Sequence, residues 1–260
     1  MSINSVAVGD GPIEVVFMHG LFGQGKNWTT VAKAIGDLAT SHLVDLPNHG
    51  ESSWTTGFDY DEQAEIVADW LRDTFEDRQV VLVGHSMGGK MAMRLAIHHP
   101  DLVAGLMVVD ISPARNESAL FFTSLVSGLR SLDLDTVASR GYADQALAER
   151  IPNDTIRRFL LQNLQRAGDR WTWKANLDML GDELHAISGW QPIEGSYDGP
   201  VVWVIGGKSD YVKPEHDAPM REHFPSLRAI TLKRAGHWVH SEDPESFVEV
   251  LRAFLGRTEF

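Results

Sequence analysis

The chain contains no cysteine, which removes disulfides, thiolate metal sites and a cysteine nucleophile from consideration. It has no apolar run approaching the roughly 20 residues that a membrane-spanning helix requires. Its first residues, Met1-Ser-Ile-Asn-Ser-Val, carry neither a basic stretch nor a hydrophobic signal core, so a cytoplasmic location is the expectation. Positive charge is scarce: 23 Lys and Arg stand against 36 Asp and Glu, a formal net charge of −13. Nucleic acid is bound by neutralising phosphates, so this balance argues against such a partner and fits a role in solubility. There is no internal repeat and no low-complexity tract. What remains, 260 residues with 43% hydrophobic and 23% charged side chains, suits one α/β domain with room for an inserted subdomain.

Short aliphatic runs at 13–18, 42–46, 80–83, 102–109, 201–205 and 227–232 read as strands. Helical stripes lie between them, the clearest being Ala64, Val67, Ala68, Leu71 and Phe75, with a second at Phe247, Val248, Leu251 and Leu255. Alternation of this kind predicts a mostly parallel sheet covered on both faces. It breaks between about 111 and 197, where no strand pattern appears and amphipathic pieces such as Ile156, Phe159, Leu160 and Leu164 do. The predicted division is a core of 1–111 and 197–260 carrying a helical lid of 112–196.

Residues 80–90 place Gly84-His85-Ser86-Met87-Gly88 between a buried-type strand and a helix-compatible segment. That is the setting in which a G-x-S-x-G serine becomes a nucleophile, exposed at the tip of a turn whose glycines let neighbouring chain pass. A serine hydroxyl needs a base, and the base needs an orienting acid. His237, late in the chain and just before the last helix, has the right place in the order. Its acid is either Asp110, ending the strand after the nucleophile helix, or Asp210, following the next strand. The oxyanion of a tetrahedral intermediate would take the N–H of Met87 and that of Leu21, with Phe22 as the alternative. The remaining histidines read as structural: His85 as packing, His98 and His99 as a helix end, His216 and His223 as helix surface. His240 stands in an H-x-x-H spacing with His237, but no further ligand suggests a metal. Residues 48–52 read as a structural turn.

With HGLFG at 19–23, NHGES at 48–52, GHSMGGK at 84–90, VDISP at 109–113, WKANL at 173–177 and GHWVHSEDP at 236–244, the chain resembles the α/β-hydrolase superfamily. Within it, the chain is similar to the small-lid esterases of the YbfF type. The resemblance implies the α/β-hydrolase fold with a lid inserted after the sixth strand. It also implies cofactor-free hydrolysis of a small-molecule acyl ester or thioester through an acyl-enzyme. It tilts the choice of acid toward Asp110, since such esterases can lack an aspartate at the place of Asp210. Phe22 and Trp238 are expected to wall the pocket. Phe121, Phe122, Leu125, Trp171, Trp173 and Trp190 of the lid offer either acyl contacts or plain packing. Arg157 and Arg158 read as solvated helix residues, with contact to an anionic leaving group as the alternative. Two rivals share the sequence. The scaffold also hosts lyases, C–C hydrolases and peptidases, and Gly20 to Lys26 mimics a P-loop until Asn27 replaces its Ser or Thr.

Overall fold

The computed structural model describes residues 1–256 apart from 77 and 118; residues 257–260, the last four assigned to the core, lie outside the described residues. Nine strands are present: β1 (Asn4–Val8), β2 (Ile13–Met18), β3 (Ala39–Asp45), β4 (Val80–His85), β5 (Val103–Val109), β6 (Leu164–Ala167), β7 (Arg170–Trp173), β8 (Val201–Gly206) and β9 (Leu227–Leu232). Seven of them form one sheet in the order β1-β3-β2-β4-β5-β8-β9. All its neighbours run parallel except β1, which is antiparallel to β3. The sequence pattern missed β1, a five-residue edge strand with no buried residue, whose Val6-Ala7-Val8 run is too short to show a period.

The central strands are aliphatic throughout because both their faces are covered. Alternate residues divide between two cores, as a strand's period of two requires. Val16, Met18, Leu82, Leu106, Val108 and Trp203 face α2 (Tyr60–Phe75) and α3 (Met87–His98). Val15, Phe17, Val81, Val83, Met107 and Val204 face α1 (Thr29–Ala34) and the C-terminal helix over Pro244–Leu255. The stripe Ala64, Val67, Ala68, Leu71 and Phe75 is buried as its spacing predicts. Asp59 caps α2, accepting from the N–H groups of Asp61 and Glu62, and Glu76 ends it in the left-handed region.

The chain leaves the sheet for its insertion after β5, the fifth strand and not the sixth, because a single antiparallel strand precedes the parallel run. The insertion holds α4 (Ala119–Arg130), α5 (Arg140–Leu147), α6 (Asp154–Leu160), α7 (Leu177–Asp182) and α8 (Leu184–Ser188). It is not purely helical: β6 and β7 pair as a hairpin, with Gly168 at φ +63° in its turn. Leu164 therefore begins a strand rather than extending a helical stripe. Four-residue strands around a Gly-Asp turn are too short to show a period.

Arg157 is neither solvated nor turned toward a ligand. It is buried and clamps the lid internally, 2.7 Å from Asp144 and 2.8 Å from Asp154, with a further bond to the carbonyl of Ile151. Lid and core are stapled by α3. Lys90 Nζ donates to the carbonyls of Ser188 (2.9 Å) and Gly189 (2.6 Å). One turn on, Arg94 Nη1 donates to that of Gln191, with its guanidinium 4.7 Å from the Trp190 ring. Arg94 Nε lies 2.9 Å from Asp61 Oδ1, off the hydrogen-bonding direction. The helix C-terminal of the lid, α9 (Asp217–His223), and the short α10 (Val239–Glu242) lead into α11 (Pro244–Leu255).

From β2 the chain crosses to β3 on one side and then to β4 on the other, so the loops after β2 and β4 part at a topological switch point. Asp45, at the end of β3, fixes the neighbouring loops. Its carboxylate accepts from the N–H of Gly25 (2.8 Å) and Glu51 (3.0 Å) and from Asn4 Nδ2 (2.8 Å). Burial alone would raise this carboxyl, but the N–H groups of Glu51 and Gly25, then Asn4, hold it below the ordinary carboxylate range. A depressed carboxyl contributes stability that is present above its unfolded value, about 4, and is lost as pH falls below it. Asp45→Asn is expected to cost about 3 kcal/mol at pH 7, roughly 8 °C in melting temperature. The gap to wild type should close as the pH drops below about 4; a gap that does not change with pH would contradict this assignment.

Candidate active site

Ser86 lies between β4 and α3 at φ 53° and ψ −119°, a conformation that costs an L-residue of order 1–3 kcal/mol and aims its side chain out of the turn. The flanking glycines are needed for close approach. A Cβ on Gly84 would stand 2.5 Å from the Gly88 carbonyl, and one on Gly88 would stand 2.5 Å from the carbonyls of Met18 and His19. The turn is tied down by Ser86 N–H to the Val109 carbonyl (3.1 Å) and Lys90 N–H to that of Ser86 (3.0 Å).

The Ser86 hydroxyl donates to His237 Nε2 at 3.1 Å, and His237 Nδ1 donates to Asp110 Oδ2 at 2.8 Å. Asp110 is fully buried directly after β5, its backbone at φ 49°. Its Oδ1 accepts from the Gly206 N–H (2.8 Å), and the Ser209 hydroxyl donates to Oδ2, the oxygen that also faces His237. Asp210, one residue on from Ser209, is solvent-exposed, and no hydrogen bond or ion pair joins it to His237 among the described residues. The imidazole is held on several sides. Tyr211 stacks on it at 3.6 Å and 18°, Trp238 meets it edge-on at 5.7 Å, and His85 lies beneath at 4.7 Å. His85 Nε2 donates to the His237 carbonyl (2.9 Å), so His85 packs and also anchors the loop that carries His237. Burial, then the neighbouring His237, pushes His85 well below its ordinary value and keeps it neutral. His240 is half-buried and stacks on Trp28 at 4.1 Å, pushed down to about 3 by desolvation and then by His237. Among the described residues no group of His, Cys, Asp and Glu could hold a metal ion.

The loop after β2 stands over this pair. Among the described residues neither the N–H of Leu21 nor that of Met87 meets an acceptor, whereas the N–H of Phe22 donates to His49 Nε2 (3.1 Å). Phe22 is thus occupied, and it does not wall the pocket either: its ring is 1% exposed, packed against His49 and Phe122. Leu21 lines the cavity in its stead. His49 Nδ1 donates to the Pro47 carbonyl, and burial with the nearby His19 pushes its pKa down to about 3. His19 is neutral for the same first reason, donating to the Gly20 carbonyl and accepting from the Leu46 N–H. The turn at 48–52 is scaffold with a specific task, holding the loop after β2. Asn163 of the lid adds a bond to the Phe22 carbonyl at 2.8 Å. The P-loop likeness ends here, since the Gly25 N–H is committed to the Asp45 carboxylate and cannot cradle a phosphate.

Two cavities meet at Ser86. The more apolar one includes His85, His237 and Trp238 of the core with Phe122, Leu125 and Ile156 of the lid. The other runs from Ser86 and Met87 to Tyr60 and Lys90. Phe121 is exposed at the mouth outside His237. Trp171 and Trp190 are spent on packing, under Arg166 and Arg94. Three groups escape the sequence reading, Ser209 and Tyr211 beside His237 and Lys90 in the pocket, while His49, read only as part of a turn, holds the loop after β2. His216 was read as surface, yet its Nδ1 accepts from the Ser112 hydroxyl at 2.8 Å. Only the GHSMGGK motif offered a signal for Lys90.

A family model described as alpha/beta hydrolase fold matches residues 14–244. The sn-1-specific diacylglycerol lipase ABHD11 of Mus musculus is 36% identical, over 93% of this chain and 80% of its own length. Esterase YbfF of Escherichia coli (strain K12) is 30% identical over 93% of this chain and 92% of its own. Among solved structures, a marine microorganism esterase superposes with a TM-score of 0.93 at 29% identity, covering 97% of this chain and 98% of that one. The chain belongs to the alpha/beta hydrolase fold family.

Proposed function

We propose that the protein is a serine esterase, cleaving small acyl esters or thioesters through an acyl-enzyme without a cofactor. The observation that carries this reading is the unbroken chain of Ser86 Oγ, His237 and Asp110, with separations of 3.1 and 2.8 Å. The names of the relatives, an esterase and a diacylglycerol lipase, point to the same bond type.

In this mechanism His237 takes the Ser86 proton as Oγ attacks the carbonyl carbon. Asp110 holds the imidazole in the tautomer that presents Nε2 to the serine and stabilises the imidazolium that forms. It stays a hydrogen-bond acceptor because the Gly206 N–H and the Ser209 hydroxyl already point at its oxygens. The N–H groups of Leu21 and Met87 take the oxyanion. They are preorganised, one by the loop pinned through His49 and the other by the start of α3. His237 then protonates the leaving alcohol or thiol. Water, deprotonated by the same nitrogen, releases the acid. Lyase, C–C hydrolase and peptidase chemistries on this scaffold have no feature of this site in their favour.

Ser86→Ala should lower kcat on a p-nitrophenyl ester by about four orders of magnitude while leaving the melting temperature near wild type. Asp110→Asn is expected to cost about 10³–10⁴ in kcat through the wrong imidazole tautomer. Asp210→Asn, altering an exposed group, should stay within about twofold. Steady-state kinetics of the three variants decides the matter: loss of turnover in Asp210→Asn with Asp110→Asn intact would overturn the choice of acid.

A further inference from the structure

Lys90 is fully buried on α3, four residues after Ser86, and no acidic side chain pairs with it among the described residues. Two of its three ammonium hydrogens go to the carbonyls of Ser188 and Gly189, and the third meets no acceptor among the described residues. The charged and titratable groups around it offer no compensation. Arg115 is of like charge, Arg94 lies one turn along the same helix, and His216 stands across from it. The Tyr60 ring lies 5.9 Å from Nζ, with its hydroxyl committed to the Ile187 carbonyl. Burial, with Arg115 acting in the same direction, pushes the ammonium down to about 7. A buried cation left so is costly unless something completes its shell.

What could complete it is set by where Lys90 sits. It ends a narrow pocket that is also lined by Ser86, Leu21, Met87 and Ile111. His237 does not line this pocket; it lines the apolar cavity and the outer mouth. On the reading given under Proposed function, His237 must reach the leaving-group oxygen or sulfur, so the leaving group lies on the His237 side. The acyl group then enters the pocket that ends at Lys90. We propose that Lys90 is a specificity residue for short acyl groups ending in an anion, so that the preferred substrates are half-esters or half-thioesters of dicarboxylic acids. Ser86 Oγ bonds to the ester carbonyl carbon and the alkoxide or thiolate leaves with the proton from His237. Water then cleaves the carboxyacyl-enzyme to a free dicarboxylate. The distal carboxylate is unchanged throughout and is held by Lys90.

The test compares kcat/KM for monoethyl succinate and monoethyl glutarate with ethyl butyrate and ethyl valerate, pairs of equal chain length, by proton release. Wild type at pH 6 should prefer the half-esters by at least about tenfold. That ratio should fall toward one by pH 8.5 as Lys90 loses its proton, whereas any pH effect on the acyl-transfer chemistry itself is common to both members of a pair and cancels. Lys90→Met should reverse the preference in favour of the neutral esters. If that variant does not fold, the pH trend of wild type still decides. A wild-type ratio near one, a ratio flat with pH, or a preference surviving in Lys90→Met would overturn the assignment. Turnover of neutral esters that depends on Ser86 but shows no half-ester preference would remove the Lys90 role and leave the serine esterase intact. No Ser86-dependent turnover of either kind would remove both.

Discussion

Four loops at the carboxyl edge of the sheet turn through residues that are not glycine yet have positive φ. They are Phe22 after β2 (60°), Asn48 after β3 (69°), Ser86 after β4 (53°) and Asp110 after β5 (49°). Among the described residues only Glu76, a helix end, shares this property without belonging to the site. Each such residue costs of order 1–3 kcal/mol and persists only where its surroundings over-determine it. The surroundings here do so by hydrogen bonds. The Asn48 side chain reaches the N–H and hydroxyl of Thr55, and the Lys174 and Glu51 side chains pair nearby. The backbone of Asp110 donates to the Val204 carbonyl at 2.8 Å, and Phe22 is held from both ends by His49 and Asn163. These turns bring the Ser86 hydroxyl and the Asp110 carboxylate to the two nitrogens of His237, with the loop after β2 beside them.

Neutral histidines are the means by which that geometry is fixed. His19, His49, His85 and His240 are all pushed down, in each case by burial first. A neutral imidazole offers one donor and one acceptor in a rigid plane, and His19 and His49 use both on backbone groups. His237 differs by having a buried carboxylate on one nitrogen and the serine on the other. The helix that follows the serine serves two ends at once. Its first N–H meets no acceptor among the described residues, and its Lys90 and Arg94 hold the exit of the lid, so the Ser86 turn and the lid share one rigid element.

How much of this was legible depended on whether a residue's role left a mark in its own neighbourhood. The buried strands are uniformly aliphatic, so five of the seven sheet strands stand close to their predicted bounds and a sixth, β3, begins only three residues earlier. The elbow was legible because a close approach of chains demands glycine at 84 and 88. β1 and the β6–β7 hairpin left no mark, being short and half-exposed. Asp110 and Asp210 look alike in sequence, since each follows a strand; what separates them is that a left-handed turn directly after β5 buries Asp110, while Asp210 stands in water four residues past β8. Arg157 reads as solvent-facing because charged residues on helices usually are, and Lys90 carries no reading beyond its motif; only the lid folded against or around them shows that both are buried.

The central claim is that Ser86 becomes acylated. Rapid-quench mass spectrometry during turnover of p-nitrophenyl acetate, with peptide mapping, reads this directly. The expected result is a single added acetyl group on the peptide carrying Ser86, formed within the first turnover and lost at the steady-state rate. Turnover with no covalent species at any time, or an acetyl group on another residue, would contradict it.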